Sequence, residues 1–164
     1  MEAKTLLETW QDNVLEIFKY FITLCEKYDI RYYTCGGTTL GSIRHKNFIP
    51  WDDDIDVLVP RCDYEKLLLI CSSEDLGKFE IITPNNSGNY YLSYAKLCIK
   101  NSTIVEQRNI PQEIGLFIDI FPLDSCADDY HEYLKDQKKY ELLRENLFIA
   151  SSNYDLRSML GFVY

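Results

Sequence analysis

The sequence lacks most features of nucleic-acid-binding, exported or membrane-spanning proteins. Its 17 Lys and Arg stand against 26 Asp and Glu, a formal net charge of −9, and an acidic protein repels phosphate backbones. No apolar run is long enough to cross a bilayer, and the N-terminal residues lack the basic and apolar regions of a signal peptide. We therefore expect a soluble, cytoplasmic protein with no transmembrane segment and no nucleic-acid partner.

Cysteine pairs, repeats and linkers are missing as well. The six cysteines form no C-x-x-C pair and most lie in apolar stretches, which predicts reduced core residues rather than disulfides or a zinc site. No internal repeat, low-complexity tract or linker divides the chain. With 164 residues, 46% of them hydrophobic, the chain is long and apolar enough to form one domain, residues 1–164, around a real core.

The spacing of apolar residues predicts an α+β (mixed α/β) domain, a mixed sheet flanked by helices. An amphipathic helix is expected from Ala3 to Tyr28, packed on the sheet, and a charged helix from Asp128 to Ala150. Shorter helices are predicted over Thr38–His45 and Arg61–Ser72. Strands are predicted at Arg31–Cys35, Ile55–Val59, Phe79–Ile82, Tyr90–Ile99, Thr103–Glu106 and Leu116–Phe121, with the fourth and fifth paired through a turn at 100–102.

Four carboxylates occupy five positions, Asp52–Asp54 and Asp56, directly ahead of an apolar strand. Side chains two apart on a strand share a face, so Asp54 and Asp56 would lie roughly 7 Å apart at the backbone. Ionised carboxylates at the edge of a core are costly unless a cation offsets them, and Mg²⁺ or Mn²⁺ is the natural partner of oxygen ligands. Asp119, alone in a later apolar strand, is the possible third ligand. Mg²⁺ that is bound by only a few carboxylates keeps coordination positions open for substrate phosphates. The cluster therefore indicates a reaction on phosphates.

A candidate anion site precedes the acidic cluster. Gly36, Gly37 and Thr38 stand at a predicted helix start, where exposed N–H groups and the positive end of the helix dipole favour a phosphate. Arg44 and His45, with the lysine that follows them, lie between this site and the acidic run and could neutralise charge on a transferred phosphoryl group. The pieces together predict a nucleotide-phosphate site with a divalent cation.

Each piece also has a structural interpretation. The glycine pair alone is more often a turn, and Asp runs are usually solvated or cap helices. Asp52 and Asp53 are expected to shape the turn rather than to bind metal. His45 could simply close its helix, and Lys96 could reach a substrate phosphate or lie on the surface.

Trp51 and the spacing of the carboxylates leave two further questions. Trp51 suits a core or hinge position as well as a platform for a base. A calcium-binding loop of the EF-hand type is excluded. Val57 stands where that loop requires a glycine, and Asp63 stands where it requires Glu as its last ligand.

Three segments of the sequence resemble the LicD family, which includes the fukutin-related proteins. The longest is 37–56, GTTLGSIRHKNFIPWDDDID, which continues into VLVPRCDY at 57–64. The other two are 95–103, AKLCIKNST, and 115–124, GLFIDIFPLD. The resemblance implies a nucleotidyltransferase-like sheet over most of the chain.

The same resemblance implies an activity and a set of roles. Family members move a phospho-alcohol, such as phosphocholine or ribitol phosphate, from a CDP-activated donor to a glycan acceptor with a divalent metal. By position, Asp54, Asp56 and Asp119 would bind Mg²⁺ or Mn²⁺, and Gly36, Gly37 and Thr38 would hold the donor phosphates. We count Arg44 with the catalytic residues and His45 and Lys96 with the donor-binding residues. A lipid-linked glycan acceptor implies a peripheral visit to the inner face of the membrane.

Two alternatives stay open from the sequence. The chain could transfer a nucleotidyl group from CTP or another NTP and release pyrophosphate. A glycosyltransferase whose D-x-D holds a sugar nucleotide is disfavoured, because the glycine pair ahead of the Asp pair and the later Ile-Asp-Ile favour the nucleotidyltransferase arrangement. Many family members continue well beyond the third-Asp segment, so we expect a C-terminal extension to be lacking here. A truncated domain that binds nucleotide without turnover is therefore the non-enzymatic alternative.

Overall fold

The computed structural model describes residues 5–87, 90–105 and 113–151, and in these ranges three helix–strand pairs are followed by two further strands and a last helix. The elements in these ranges are an α+β set, as the apolar spacing predicted. The helices are α1 (Leu6–Tyr28), α2 (Gly36–Arg44), α3 (Arg61–Ser73) and α4 (Tyr130–Ser151). The strands are β1 (Tyr33–Thr34), β2 (Asp56–Pro60), β3 (Phe79–Ile82), β4 (Ala95–Ile99) and β5 (Phe117–Leu123).

The five strands form one mixed sheet in the order β1-β2-β5-β4-β3. The central pair β2 and β5 is parallel, and the other three pairs are antiparallel. A parallel pair needs a long crossover, and here the chain makes α3, β3 and β4 between the two strands. The first residues of β2 and β5 therefore lie side by side at the same end of the sheet, although the two segments are far apart in the sequence.

Helices α1 and α3 cover one face of the sheet. Val57, Ile118 and Leu97 point to this face from three adjacent strands and are almost fully buried. Phe21 of α1 and Leu67 of α3 pack in the same cluster, so the predicted packing of the N-terminal helix on the sheet is confirmed. Apolar burial on this face is the main source of stability.

Helix α1 starts later than the apolar spacing predicted. Thr5 caps the helix: its hydroxyl accepts from the N–H of Glu8, and the Glu8 carboxylate accepts from the N–H of Thr5. This capping box fixes Leu6 as the first helical residue, three positions after the expected Ala3, which lies outside the described residues. At the other end Asp29 takes a left-handed conformation, φ 50°, and ends the helix after Tyr28, as predicted.

Several other predicted elements shift at their ends. Helix α2 begins at Gly36 rather than Thr38, so both glycines belong to its first turn instead of a preceding loop. Strand β2 runs one residue later than expected, and strand β1 keeps only two residues of the predicted five. The predicted strand Phe79–Ile82 is confirmed without change.

The predicted pairing of Tyr90–Ile99 with Thr103–Glu106 is wrong for residues 103–105, and Glu106 lies outside the described residues. Strand β4 starts only at Ala95, and both of its edges are filled, by β3 on one side and β5 on the other. Ile104 instead forms an isolated bridge with Ile114. Central pairing of β4 buries more apolar side chain than a hairpin at the sheet edge would, and burial decides between the two.

All six cysteines lie in the described residues and are free thiols, as predicted, but they are not all core residues. Cys62 and Cys126 are exposed and Cys35 is half-buried. Within residues 5–87, 90–105 and 113–151, no helix is both long enough and apolar enough to span a membrane.

Candidate active site

A row of polar side chains crosses the second face of the sheet at the start of β2. Asp56 of β2 pairs with Asp119 of β5, and Asp119 pairs with Lys96 of β4. Directly paired residues of neighbouring strands project to the same face. Cys35 extends the row beyond β2, because its N–H donates to the carbonyl of Asp56 over 3.2 Å. We call Cys35, Asp56, Asp119 and Lys96 the polar row.

The first turn of α2 fixes Asp56 in the row. The hydroxyl of Thr38 accepts a hydrogen bond from the N–H of Asp56 at 2.9 Å. Gly36 has φ +55°, and a Cβ at this position would lie 3.3 Å from Oδ2 of Asp56. A glycine is therefore needed here both for its left-handed backbone and for the close approach of the carboxylate. The motif that suggested a phosphate site also positions a carboxylate.

Lys96 and Asp119 form a buried ion pair. Nζ of Lys96 lies 2.6 Å from Oδ1 of Asp119, and the lysine side chain is 0% exposed. The same ammonium lies 3.3 Å from the ring centroid of Phe117, two residues before Asp119 on the same face. The surface alternative for Lys96 is thus wrong. Its contact with Asp119 makes it the counter-ion of the third carboxylate, and its expected contact with a donor phosphate stays a prediction.

The carboxylates of the site repel one another. Burial, followed by the charges of Asp54 and Asp119, raises the pKa of Asp56 to about 6. Burial and the neighbouring Asp52 and Asp53 also raise the pKa of Asp54. Lys96 opposes both shifts but does not cancel them. A cluster of partly desolvated anions with one opposing ammonium favours a further cation.

The loop that carries Asp52–Asp54 is fastened to α1. The indole N–H of Trp10 donates to the carbonyl of Asp53 at 2.7 Å, and the amide of Gln11 donates to the carbonyl of Asp52, also at 2.7 Å. Carboxylate oxygens of Asp52, Asp53 and Asp54 come within 4.8 Å of one another. Trp10 and Gln11, for which the sequence predicted no such contact, thus hold the acidic loop in place.

Asp52 also lies against the N-terminus of α2. A Cβ at Gly37 would lie 2.4 Å from Oδ2 of Asp52, so a larger residue at this position would displace that carboxylate. The positive end of the helix dipole faces a carboxylate here, which stabilises the negative charge. The expected binding of donor phosphates by Gly36, Gly37 and Thr38 stays a prediction, and two carboxylates would border such a phosphate.

These residues fit a hard divalent cation. The donor atoms are all carboxylate oxygens, and the mutual repulsion that raises the pKa of Asp56 would fall when a cation binds. Among the described residues, the carboxylate oxygens that lie within 4.8 Å of one another are those of Asp52, Asp53 and Asp54, a group that shares only Asp54 with the predicted ligands Asp54, Asp56 and Asp119. The metal-binding roles of Asp56 and Asp119 stay predictions. Mg²⁺ and Mn²⁺ both suit such a set.

Arg44 and His45 lie at the other end of α2 from the polar row. The helix has nine residues, so a rise of about 1.5 Å per residue puts Arg44 roughly 12 Å along the axis from Gly36. Nε of Arg44 lies 3.3 Å from Nδ1 of His45, the residue that caps the helix. Their catalytic and donor-binding roles stay predictions. Trp51 is 75% exposed, which excludes the core position considered for it.

Three features of the site had little or no signal in the sequence. Cys35 was assigned to the core, yet Asp56 and Asp119 contribute, after burial, to raising the pKa of its thiol. Trp10 and Gln11 reach the acidic loop from more than 40 positions away. An aromatic cavity of about 530 Å³ lies beside the row and is lined by residues of two distant segments, 91–94 and 140–149, and by Phe121.

Comparison with known proteins gives a family and several relatives. Residues 29–151 match the LicD/FKTN/FKRP nucleotidyltransferase domain. Lipopolysaccharide cholinephosphotransferase LicD of Haemophilus influenzae is 36% identical over 129 residues, which are 77% of this chain and 47% of the relative. Ribitol 5-phosphate transferase FKRP of mouse and of human is 40% identical over 42 residues, 26% of this chain and 8% of each relative.

The matched region extends from the end of α1 into α4 and contains the whole polar row. The chain spans about half the length of the Haemophilus protein. A domain match over most of the chain is independent of the geometry above, and both agree with the resemblance in the sequence. This chain belongs to the LicD/FKTN/FKRP nucleotidyltransferase domain family.

Proposed function

We propose that this chain transfers a phospho-alcohol, of the phosphocholine or ribitol-phosphate kind, from a CDP-activated donor to a glycan acceptor with the help of Mg²⁺ or Mn²⁺. Relatives named for choline-phosphate and ribitol-phosphate transfer support the reaction class. The observation that carries the proposal is the alignment of Asp56 and Asp119 on two parallel strands, with Asp54 next to them.

The predicted ligands Asp54, Asp56 and Asp119 would hold the cation. When bound, such a cation neutralises charge on the donor phosphates and on the transferred phosphoryl group. Lys96 keeps one oxygen of Asp119 engaged, which fixes the rotamer of that carboxylate at the floor of the site. Thr38 holds the backbone of Asp56 against α2. Phosphoryl transfer depends mainly on positioning and charge neutralisation, and both contacts serve positioning.

The acceptor hydroxyl attacks the phosphorus that carries the alcohol, and the bond from that phosphorus to CMP breaks. The hydroxyl proton passes to a carboxylate of the site. Asp119, whose Oδ1 is held by Lys96, is the candidate for this proton.

The test is product analysis with the full chain. CDP-choline and CDP-ribitol are each incubated with the chain, a glycan acceptor and Mg²⁺ or Mn²⁺, and CMP and modified glycan are measured. Asp56→Asn should lower the rate by on the order of 10²- to 10³-fold, because an electrostatic group of the reacting centre is lost. Asp136→Asn, an exposed change on α4, is the matched control and should leave the rate unchanged.

The other outcomes select among the alternatives. Pyrophosphate formed from CTP would replace phospho-alcohol transfer by nucleotidyl transfer. A metal-dependent rise in melting temperature with a CDP-alcohol, but without CMP release, would favour a nucleotide-binding domain without turnover. Full activity in Asp56→Asn would refute the assignment of the carboxylates.

A further inference from the structure

The acidic loop, which carries Asp52–Asp54, has neither helix nor strand to fix its shape. The charges of its three adjacent carboxylates repel one another, and such repulsion drives charged side chains apart where the backbone is free to move. Carboxylate oxygens of all three residues nevertheless lie within 4.8 Å of one another. The shape of the loop therefore depends on contacts that hold its backbone.

Two such contacts come from α1 and act on successive peptide groups. The indole N–H of Trp10 donates to the carbonyl of Asp53, and the amide of Gln11 donates to the carbonyl of Asp52. Because a peptide group is planar, a bond to the carbonyl of Asp53 also orients the N–H of Asp54. The two peptide planes that lead into Asp54 are thus both tied to one helix.

The helix that supplies these donors is itself rigidly placed. Val14 and Ile17 of α1 are 0% exposed and pack in the core cluster. On its other side the loop meets α2, where the carboxylate of Asp52 lies against Gly37. Groups that are held by regular elements keep a site more precise than groups on a free loop. The loop is therefore fixed between two helices before any cation binds.

We propose that Trp10 and Gln11 are positioning residues of the metal site, which hold the backbone ahead of Asp54 and so set the affinity for the divalent cation. This role rests on the proposed function, because it concerns the cation which that function requires. The family match begins at residue 29, so it gives no role to either residue. The active site then includes the second turn of α1, ahead of the matched domain.

Metal binding without substrate tests this role. Binding of Mn²⁺ to the full chain is measured from the electron paramagnetic resonance signal of the free ion. Trp10→Phe keeps an aromatic ring and removes the N–H, and Gln11→Met keeps the length of the side chain and removes the amide. Each change should weaken Mn²⁺ binding on the order of threefold. Together they should weaken it on the order of tenfold, the low end for groups that orient metal ligands.

Asn13 on the same helix offers a matched control. Its side-chain amide donates to the carbonyl of Thr9 within α1, at 2.8 Å, so Asn13→Ala removes an amide that does not reach the loop. The affinity for Mn²⁺ should stay unchanged in this variant. In the double variant, the Mn²⁺ concentration for half-maximal transfer should rise in parallel with the dissociation constant. Loss of folded protein alone would not move that concentration.

The fluorescence of Trp10 gives a second measurement, which leaves the contacts of α1 intact. The chain has two tryptophans, Trp10 and Trp51, so Trp51→Phe leaves Trp10 as the only emitter. Mn²⁺ is paramagnetic and quenches the emission of a nearby indole. The emission of Trp10 should fall in step with Mn²⁺ occupancy, and an excess of Mg²⁺ should restore it.

The outcomes separate this role from the proposed function. Wild-type Mn²⁺ affinity in the double variant, or Mn²⁺ bound to Trp51→Phe without quenching of Trp10, would overturn the positioning role. If the wild type still releases CMP from a CDP-alcohol, only that role fails. If the wild type releases no CMP while the double variant binds Mn²⁺ more weakly, only the proposed transfer fails. Absence of Mn²⁺ binding to the wild type would overturn both.

Discussion

The two faces of the sheet are built from alternate residues of the same strands, yet one face is apolar and the other carries charged side chains. On one face Val57, Ile118 and Leu97 lie under α1 and α3 in the apolar core cluster. On the other face Asp56, Asp119 and Lys96, each adjacent in sequence to one of those residues, form the polar row. The pleat of a strand separates the two environments by a single position.

This difference separates the source of stability from the source of chemistry. Burial on the apolar face is favourable by itself. The polar row holds carboxylates that repel one another, and it contributes to stability only where the Lys96–Asp119 pair is satisfied. Variants on the two faces should therefore fail in different ways.

The largest effect is expected from Lys96→Met, which leaves the Asp119 carboxylate buried without its counter-ion. Loss of one partner of a buried pair costs about 3–5 kcal/mol of the free energy of unfolding. Urea denaturation in EDTA measures it. Lys96→Met combined with Asp119→Leu should recover most of the loss. The exposed pair of Lys78 and Glu16 is the control, and Lys78→Met should cost less than about 1 kcal/mol. An equally small effect at Lys96 would contradict the buried pair.

A core change on the apolar face should be slightly smaller and should spare the site. Leu67 is 1% exposed between α3 and the sheet, and Leu67→Ala should cost about 3 kcal/mol through lost burial and a cavity. Metal affinity, measured by calorimetry below the melting temperature, should stay within about twofold of the wild type. A large loss of metal affinity would show that the two faces are coupled rather than separate.

The smallest expected effect is a gain in folding stability rather than a loss, and it depends on pH. The raised pKa of Asp56, about 6, means that the folded chain binds a proton more tightly than the unfolded chain. Stability therefore falls as pH rises from near 4 through 6. At pH 7.5 in EDTA, Asp56→Asn should stabilise the fold by about 1 kcal/mol, a figure reduced for solvent screening.

Most of the gain from Asp56→Asn should be lost near pH 4, where Asp56 is protonated in the folded wild type and about half protonated in the unfolded chain. Thermal melts at both pH values measure the change, and Asp136→Asn on the exposed side of α4 is the control. Added Mg²⁺ should stabilise the wild type and not the variant. A uniform gain at both pH values would mean that relief of charge repulsion is not the cause.

The elements with strong local signals could be predicted from the sequence. Helix α1 followed from apolar residues at helical spacing, and Phe79–Ile82 followed from a short β-rich run with turn residues after it. The acidic run was visible because four carboxylates before an apolar strand are costly without a cation. Strand pairing was not visible in the sequence: β4 was paired with residues 103–106 rather than with β3 and β5.

The sequence by itself determined the family, the α+β class and the identity of the carboxylates, because these depend on local spacing and on residue chemistry. Tertiary structure alone decided that Asp56, Asp119 and Lys96 lie in one row, since strand order and register fix which residues are neighbours. It also turned Lys96 from a candidate surface residue into a buried counter-ion, because a lysine on a central strand has no path to solvent and must pair with a charge.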